Sequence, residues 1–278
     1  FFLLVGPPGT GKTSMALRFM VEEALCDPDA SLLLTSYTNR AVDEICAMLT
    51  EAGIDYLRIG NEYTCDPRFR DQLLDRRVGE TPRLDLVRQT LLSARVVVAT
   101  TTTLQSRTPL FTLRRFSLAI IDEASQILEP SLMGLLTHID KFVMVGDYKQ
   151  LPAVVQQPAA LSQTIDPLLT AIHLTDCRNS LFERLYRREM ALGRTQFVGI
   201  LRRQGRMHPD IASFPNEMFY RREQLECVPC PTSRPTSSTP RHCPTPPTVS
   251  TRFSTITACS TSPRPAISRP PSQTRSTP

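Results

Sequence analysis

Five short apolar runs punctuate residues 1–145: Phe1 to Val5, Leu32 to Leu34, Val96 to Ala99, Leu118 to Ile121 and Phe142 to Val145. Each is continuous, without polar residues at alternate positions. A strand wetted on one face alternates, so unbroken runs of this length read as strands buried on both faces, as in a parallel sheet covered by helices. The intervening stretches supply helices. Ala16, Phe19, Met20 and Ala24 fall on one helical face, and so do Ala41, Ile45, Met48 and Leu49. Strands alternating with helices predict an α/β, doubly wound fold with a mostly parallel sheet. Residues 61–92 are polar and charged and predict a small helical excursion. Residues 178–192 predict a further helix.

The chain has 278 residues, 41% of them hydrophobic, enough for a packed core. Its formal charge of +5 suggests a nucleic-acid partner until it is located. Residues 227–278 hold six Arg, no Lys and no acidic residue, which leaves 26 basic against 27 acidic residues in positions 1–226. The body is therefore near neutral, and any basic groove is local. The segment from Cys227 also holds 12 of the 24 prolines, and its remainder is mostly Ser, Thr and Arg. Such a segment buries no core and is expected to be disordered. It reads as a flexible linker or as sequence outside the native reading frame, the abruptness of the change favouring the second. No apolar run approaches a membrane span. Eight cysteines, four scattered through the body, fit reduced thiols in a cytoplasmic protein. Cys227-x-x-Cys230 with His242, Cys243 and Cys259 is too irregular for a zinc knuckle. His138, His173 and His208 are isolated from one another and read as surface or packing residues.

Chemistry concentrates at three strand ends. Gly6-Pro7-Pro8-Gly9-Thr10-Gly11-Lys12-Thr13, followed by Ser14, lies between the first run and the first helix, as a phosphate-binding loop requires. Glycines allow backbone N–H groups to turn inward onto phosphate oxygens, and a helix N-terminus adds partial positive charge. Lys12 suits neutralising the β- and γ-phosphates of ATP, and the Thr13 hydroxyl suits ligating Mg²⁺. Leu118 to Ile121 runs into Asp122-Glu123, two carboxylates at a buried strand end. Asp122 suits holding Mg²⁺ and Glu123 suits positioning the attacking water. Phe142 to Val145 runs into Gly146-Asp147-Tyr148-Lys149-Gln150, where the Gln150 amide, both donor and acceptor, suits sensing a γ-phosphate.

These stretches, with Asp122-Glu123-Ala124-Ser125, Gly146 to Pro152 and Gln204-Gly205-Arg206-Met207-His208-Pro209, closely resemble superfamily 1 helicases, in the branch of the nonsense-mediated-decay helicase and the Okazaki-fragment nuclease-helicase. The resemblance runs in order through residues 1–222. It implies a RecA-like P-loop NTPase motor, ATP hydrolysis and 5′-to-3′ movement on single-stranded DNA or RNA. It implies that Arg206 reaches the γ-phosphate. Thr38-Asn39-Arg40-Ala41-Val42-Asp43 resembles a motif that grips the nucleic-acid backbone, with Thr38 and Asn39 the candidate contacts, and Thr101-Thr102, within Thr100 to Thr103, resembles a second; hydroxyls and amides suit phosphate contacts without base readout. Residues 1–200 are then the first motor domain and 201–226 the truncated start of a second, whose absence leaves half the walls of the ATP site.

There are departures. Gly205 stands where the family commonly has a Tyr that stacks on adenine, and Tyr37 where Pro is usual. The adenine-reading Gln lies upstream of Phe1, which opens directly on the first run as a piece of a longer chain would. Two other readings are a P-loop regulator that does not translocate and an inactive, decayed fragment. No Asn-Lys-x-Asp guanine reader is present, which argues against a GTPase switch.

Overall fold

The structure is a computed structural model and describes residues 1–79 and 81–228. All five apolar runs are strands: β1 Phe2–Val5, β2 Leu32–Ser36, β4 Val96–Thr100, β5 Phe116–Ile121 and β6 Ile139–Gly146. Two three-residue strands join them, β3 Leu57–Ile59 and β7 Val198–Ile200. Together they form one sheet ordered β3-β4-β2-β5-β6-β1-β7, with every neighbouring pair parallel.

The continuous runs are explained by two cores. Leu3 and Val5 of β1, Leu33 of β2, Ala99 of β4 and Ile121 of β5 face one layer. Leu4, Leu32, Leu34, Val98 and Ile120 face the other. Successive residues of a strand point to opposite faces, so both must be apolar when both faces are covered. Helices α1 Arg18–Leu25 and α2 Asn39–Glu51 cover the second face through Leu17, Val21, Val42, Ile45 and Leu49. On the first lie α3 Leu74–Val78, α4 Leu84–Ser93, α5 Thr101–Ser106, α6 Pro109–Leu113 and α7 Glu129–Leu136. Short α8 Ala159–Ser162 and α9 Pro167–Ala171 precede α10 Leu181–Ala191, whose Phe182 is fully buried in that layer. Burying such a ring stabilises by about 1.5–3 kcal/mol.

One expected helical face is corrected. Ala16, Met20 and Ala24 pack against the core, but Phe19 is 60% exposed and the stripe centres on Leu17 and Val21. The first turn, Lys12–Leu17, is widened: the Ala16 N–H donates to the Gly11 carbonyl five residues back. At 100° per residue Phe19 lies about 160–200° around the helix from Leu17 and Val21, so a face centred on those two turns Phe19 outward.

Beyond β7, β8 Arg203–Gln204 pairs with β9 Glu226–Cys227, bracketing α11 Pro209–Met218. Cys227, expected at the head of a disordered tail, thus belongs to a strand. The remainder of that tail, with the Cys230 spacing, lies outside the described residues. Among the described residues no helix is long and apolar enough to cross a membrane, and Cys26, Cys46, Cys65, Cys177 and Cys227 are free thiols.

Candidate active site

A wholly parallel sheet sends every strand's carboxyl end to one edge, and there the singled-out residues gather. The loops after β5, β6, β1 and β7 are neighbours in sheet order, as are those after β4 and β2.

The phosphate loop is built on two left-handed glycines, Gly9 (φ 76°) and Gly11 (φ 75°). The Thr10 hydroxyl donates to the Pro7 carbonyl at 2.7 Å and closes the turn. Lys12 folds back across Gly6, where any Cβ would collide with its Cγ. Its Nζ stands 3.5 Å from Glu123 Oε1, and both side chains are mostly buried. Thr13 Oγ1 donates to Asp122 Oδ2 at 2.8 Å, although the two are 109 residues apart.

Asp122 is buried, and burial lifts its carboxyl to about 6, against the lowering effect of the Thr13 hydroxyl. Glu123 adopts φ 51°, a left-handed backbone that is uncommon for this residue type and typical of strained functional turns. Gln126 Nε2 donates to its Oε2 at 3.3 Å.

Gln150 Nε2 donates to Asp147 Oδ2 at 2.8 Å. Arg206 is held by a loop that buried Gln204 organises: Gln204 Oε1 accepts from the N–H groups of Arg206 and Met207 at 3.0 and 2.8 Å. The Gly205 N–H donates to the Gly9 carbonyl at 3.0 Å, and a Cβ on Gly9 would stand 2.5 Å from Arg206 Cβ. The Arg206 loop therefore sits directly on the phosphate loop.

A cleft of ≈ 340 Å³ results, lined by Pro7 to Ser14 with Glu123, Gln150, Arg206, Arg40 and Glu44. Every candidate catalytic side chain enters it. A larger cavity, ≈ 800 Å³, opens beside β7 near Tyr148, Tyr186 and Arg202, but it contains none of them. Mg²⁺ fits the smaller cleft on the chemistry of its donors. Thr13, which lines the cleft, and the buried Asp122 bonded to it offer two hard oxygens, and a buried carboxylate is relieved by a cation.

The grip candidates lie one strand further along. β2 and β4 run in register, Ser36 opposite Thr100, so their loops emerge side by side. Thr38, Asn39 and Thr102 are exposed, whereas Thr101 is 2% exposed and packs inward. Thr38 Oγ1 accepts from the Ala41 N–H at 3.1 Å and caps α2. Asp43 of the same stretch is paired with buried Arg58.

Three residues at this edge had no assigned role in the sequence, Asp147, Gln204 and Glu44, and Arg40, from the grip stretch, lines the phosphate cleft instead. Asp147 and Gln204 lie inside singled-out stretches, but only the fold reveals them as buried hydrogen-bond organisers.

Similar proteins bear on this geometry. One family model, described as AAA domain, matches residues 1–85 and again 75–158, and a second of the same description matches 177–269. The chain belongs to this AAA-domain family. The DNA replication ATP-dependent helicase/nuclease DNA2 of Xenopus laevis is 34% identical over 230 residues, 82% of this chain and 20% of that protein. The DNA replication ATP-dependent helicase/nuclease JHS1 of Arabidopsis thaliana is 33% identical over 220 residues, 79% of this chain and 15% of that protein. The chain thus spans a fifth or less of the length of these relatives. The Arterivirus nonstructural protein 10 helicase, solved with DNA, overlays at TM-score 0.49 and 18% identity, across 82% of this chain and 41% of that one.

Proposed function

We propose that the chain is the first motor domain of an ATP-dependent helicase that moves 5′ to 3′ along single-stranded nucleic acid. One observation carries this reading: a single cleft unites Lys12, Glu123, Gln150 and Arg206, which come from four separate stretches of sequence. A phosphate loop alone would fit any ATP-binding protein; a γ-phosphate sensor and an arginine on the same cleft fit a motor.

Gly6, Pro7, Pro8, Gly9, Thr10, Gly11 and Ser14 cradle the phosphates, and Lys12 neutralises them. Thr13 and Asp122 hold Mg²⁺, which, when bound, screens the charge of the terminal phosphates. Glu123 orients the attacking water and accepts its proton. Gln150 and Arg206 contact the γ-phosphate, so charge developing there meets a fixed donor and a fixed cation. Thr38, Asn39 and Thr102 contact the strand backbone, and Thr101, being buried, is assigned no contact. The relatives' role in DNA replication favours DNA over RNA, and a nuclear or cytoplasmic site of action. In this reading residues 1–200 form the first motor domain and residues 201–226 begin a second.

The test is titration of the chain with Mg-ATPγS by calorimetry. Lys12→Ala is expected to weaken binding by at least about tenfold, the loss of one charge-assisted contact. Unchanged affinity would sink the assignment.

A further inference from the structure

One buried polar cluster behind the cleft has no role in the chemistry above. Asp147 is fully buried, and its carboxylate receives three donors. The Lys149 N–H donates to Oδ1 at 3.0 Å, while Gln150 Nε2 and the Tyr220 hydroxyl donate to Oδ2 at 2.8 and 2.6 Å. Lys149 Nζ donates to both carboxylate oxygens of Glu223 at 2.6 and 2.7 Å, and to the Phe219 carbonyl at 2.7 Å. It also lies 5.4 Å from the centre of the Tyr220 ring. Tyr220 and Glu223 are 3% and 1% exposed. Burial first, and then the bond to Asp147, push the Tyr220 hydroxyl well above its ordinary range, so it stays a donor at any working pH.

Segment 219–223 comes from the far side of α11, over seventy residues downstream of the loop it grips. It is anchored in turn. Asn216 exchanges two hydrogen bonds with the backbone of Leu225, at 3.1 and 3.2 Å. β9 pairs with β8, directly before Arg206. The tether therefore joins the wall that carries Gln150 to the wall that carries Arg206.

Buried ion pairs and carboxylates seldom repay their desolvation in stability, and apolar side chains would hold this interface as well. What they provide is direction. With one N–H of Gln150 committed to Asp147, its carbonyl oxygen and second N–H are left for the cleft it lines.

We propose that Tyr220 and Glu223 are positioning residues for Gln150, locking the loop 147–150 so that the Gln150 amide meets the third phosphate of a bound nucleoside triphosphate. This rests on the nucleotide reading of the cleft and deepens it.

The test compares Mg-ADP and Mg-ATPγS binding to the whole chain by calorimetry. Tyr220→Phe keeps the ring, and Glu223→Gln keeps the shape and a hydrogen bond; either serves if thermal melting shows the other to be unfolded. Each is expected to leave ADP affinity unchanged and to weaken ATPγS by about tenfold, the worth of one well-placed hydrogen bond to a charged group. In a Gln150→Ala background, which has already lost that preference, Tyr220→Phe should cost nothing more. Equal weakening of both nucleotides, no change in either, or an undiminished loss in the Gln150→Ala background overturns the proposal and marks the tether as structural only. If Lys12→Ala leaves both affinities intact, the nucleotide reading itself fails, a result distinguishable from failure of the tether alone.

Discussion

Gly9→Ala tests whether the phosphate loop and the Arg206 loop are one unit. Gly9 has φ 76°, where an L side chain costs about 1–2 kcal/mol. Its new Cβ would stand 2.5 Å from Arg206 Cβ and 3.2 Å from the Arg206 nitrogen. Saturated carbons rest at about 3.5–4.0 Å, so Arg206 must retreat by about 1 Å. That retreat strains the Gly205 N–H bond to the Gly9 carbonyl, now 3.0 Å. Overpacking of this kind costs about 1–3 kcal/mol, for a total of about 2–5 kcal/mol. Gly53→Ala is the matched control: it has φ 68° and nothing within 4 Å of a Cβ, so it incurs dihedral strain alone. Urea denaturation of both variants isolates the contact as the difference between them. The expected difference is about 1–3 kcal/mol. Mg-ATPγS affinity should fall in Gly9→Ala and hold in Gly53→Ala. If the two variants lose equal stability, the Arg206 loop does not rest on Gly9, and the joined cleft is wrong.

Asp122 gives a pH signature. Its folded pKa of about 6 lies above the unfolded value of 3.8, so the folded state holds the proton more tightly; stability is greatest below the lower value and is lost as pH rises through the higher one. The loss is at most about 3 kcal/mol, and Asp122→Asn should abolish it. Asp66 and Asp176, held low by Arg68 and Arg178, lose their contribution only at more acid pH. Urea midpoints of wild type and Asp122→Asn that run parallel between about pH 4 and 7 would refute this burial effect. Gly205→Tyr should tighten ATP binding by about tenfold through base stacking, because a Cβ there meets nothing within 4 Å; calorimetry decides. Asn39→Ala should lower single-strand affinity in fluorescence anisotropy without loss of fold, since the cap of α2 is Thr38 and not Asn39. An unchanged affinity would remove Asn39 from the strand surface.

How much of this was legible depended on the range of the interaction. The strands β1, β2, β4, β5 and β6 were readable because burial on both faces imposes apolar residues at every position. The three-residue strands β3 and β7 were not, since Leu57-Arg58-Ile59 and Val198-Gly199-Ile200 owe their pairing to the sheet edges they meet. Phe19 was misplaced because the apolar face centres on Leu17 and Val21, and Phe19 lies on the opposite side of that helix. Lys12, Thr13, Asp122 and Glu123 could be singled out because a Gly-rich loop before a helix and a carboxylate pair after an apolar run are local patterns, and the sheet brings them together. Tyr220 and Glu223 carry no such mark: a Tyr and a Glu in a charged stretch become an anchor only when α11 returns them to β6.

Sheet order also explains how the two halves of the edge can be coupled. β2 leads to the strand loop at Thr38 and Asn39, and β5 leads to Asp122; the two strands are adjacent. Where they end, the Asp122 N–H donates to the Thr35 carbonyl at 2.8 Å, and the Ser36 hydroxyl donates to the Asp122 carbonyl at 3.1 Å. Thr35 and Ser36 are fully buried, so these bonds lie in a low-dielectric setting where they are strong and costly to break. A shift of Asp122 on meeting a cation is therefore one hydrogen bond from β2 and two residues from the strand loop. A doubly wound sheet that places these strands side by side thus puts the proposed phosphate edge and the proposed strand loop on adjacent, hydrogen-bonded strands.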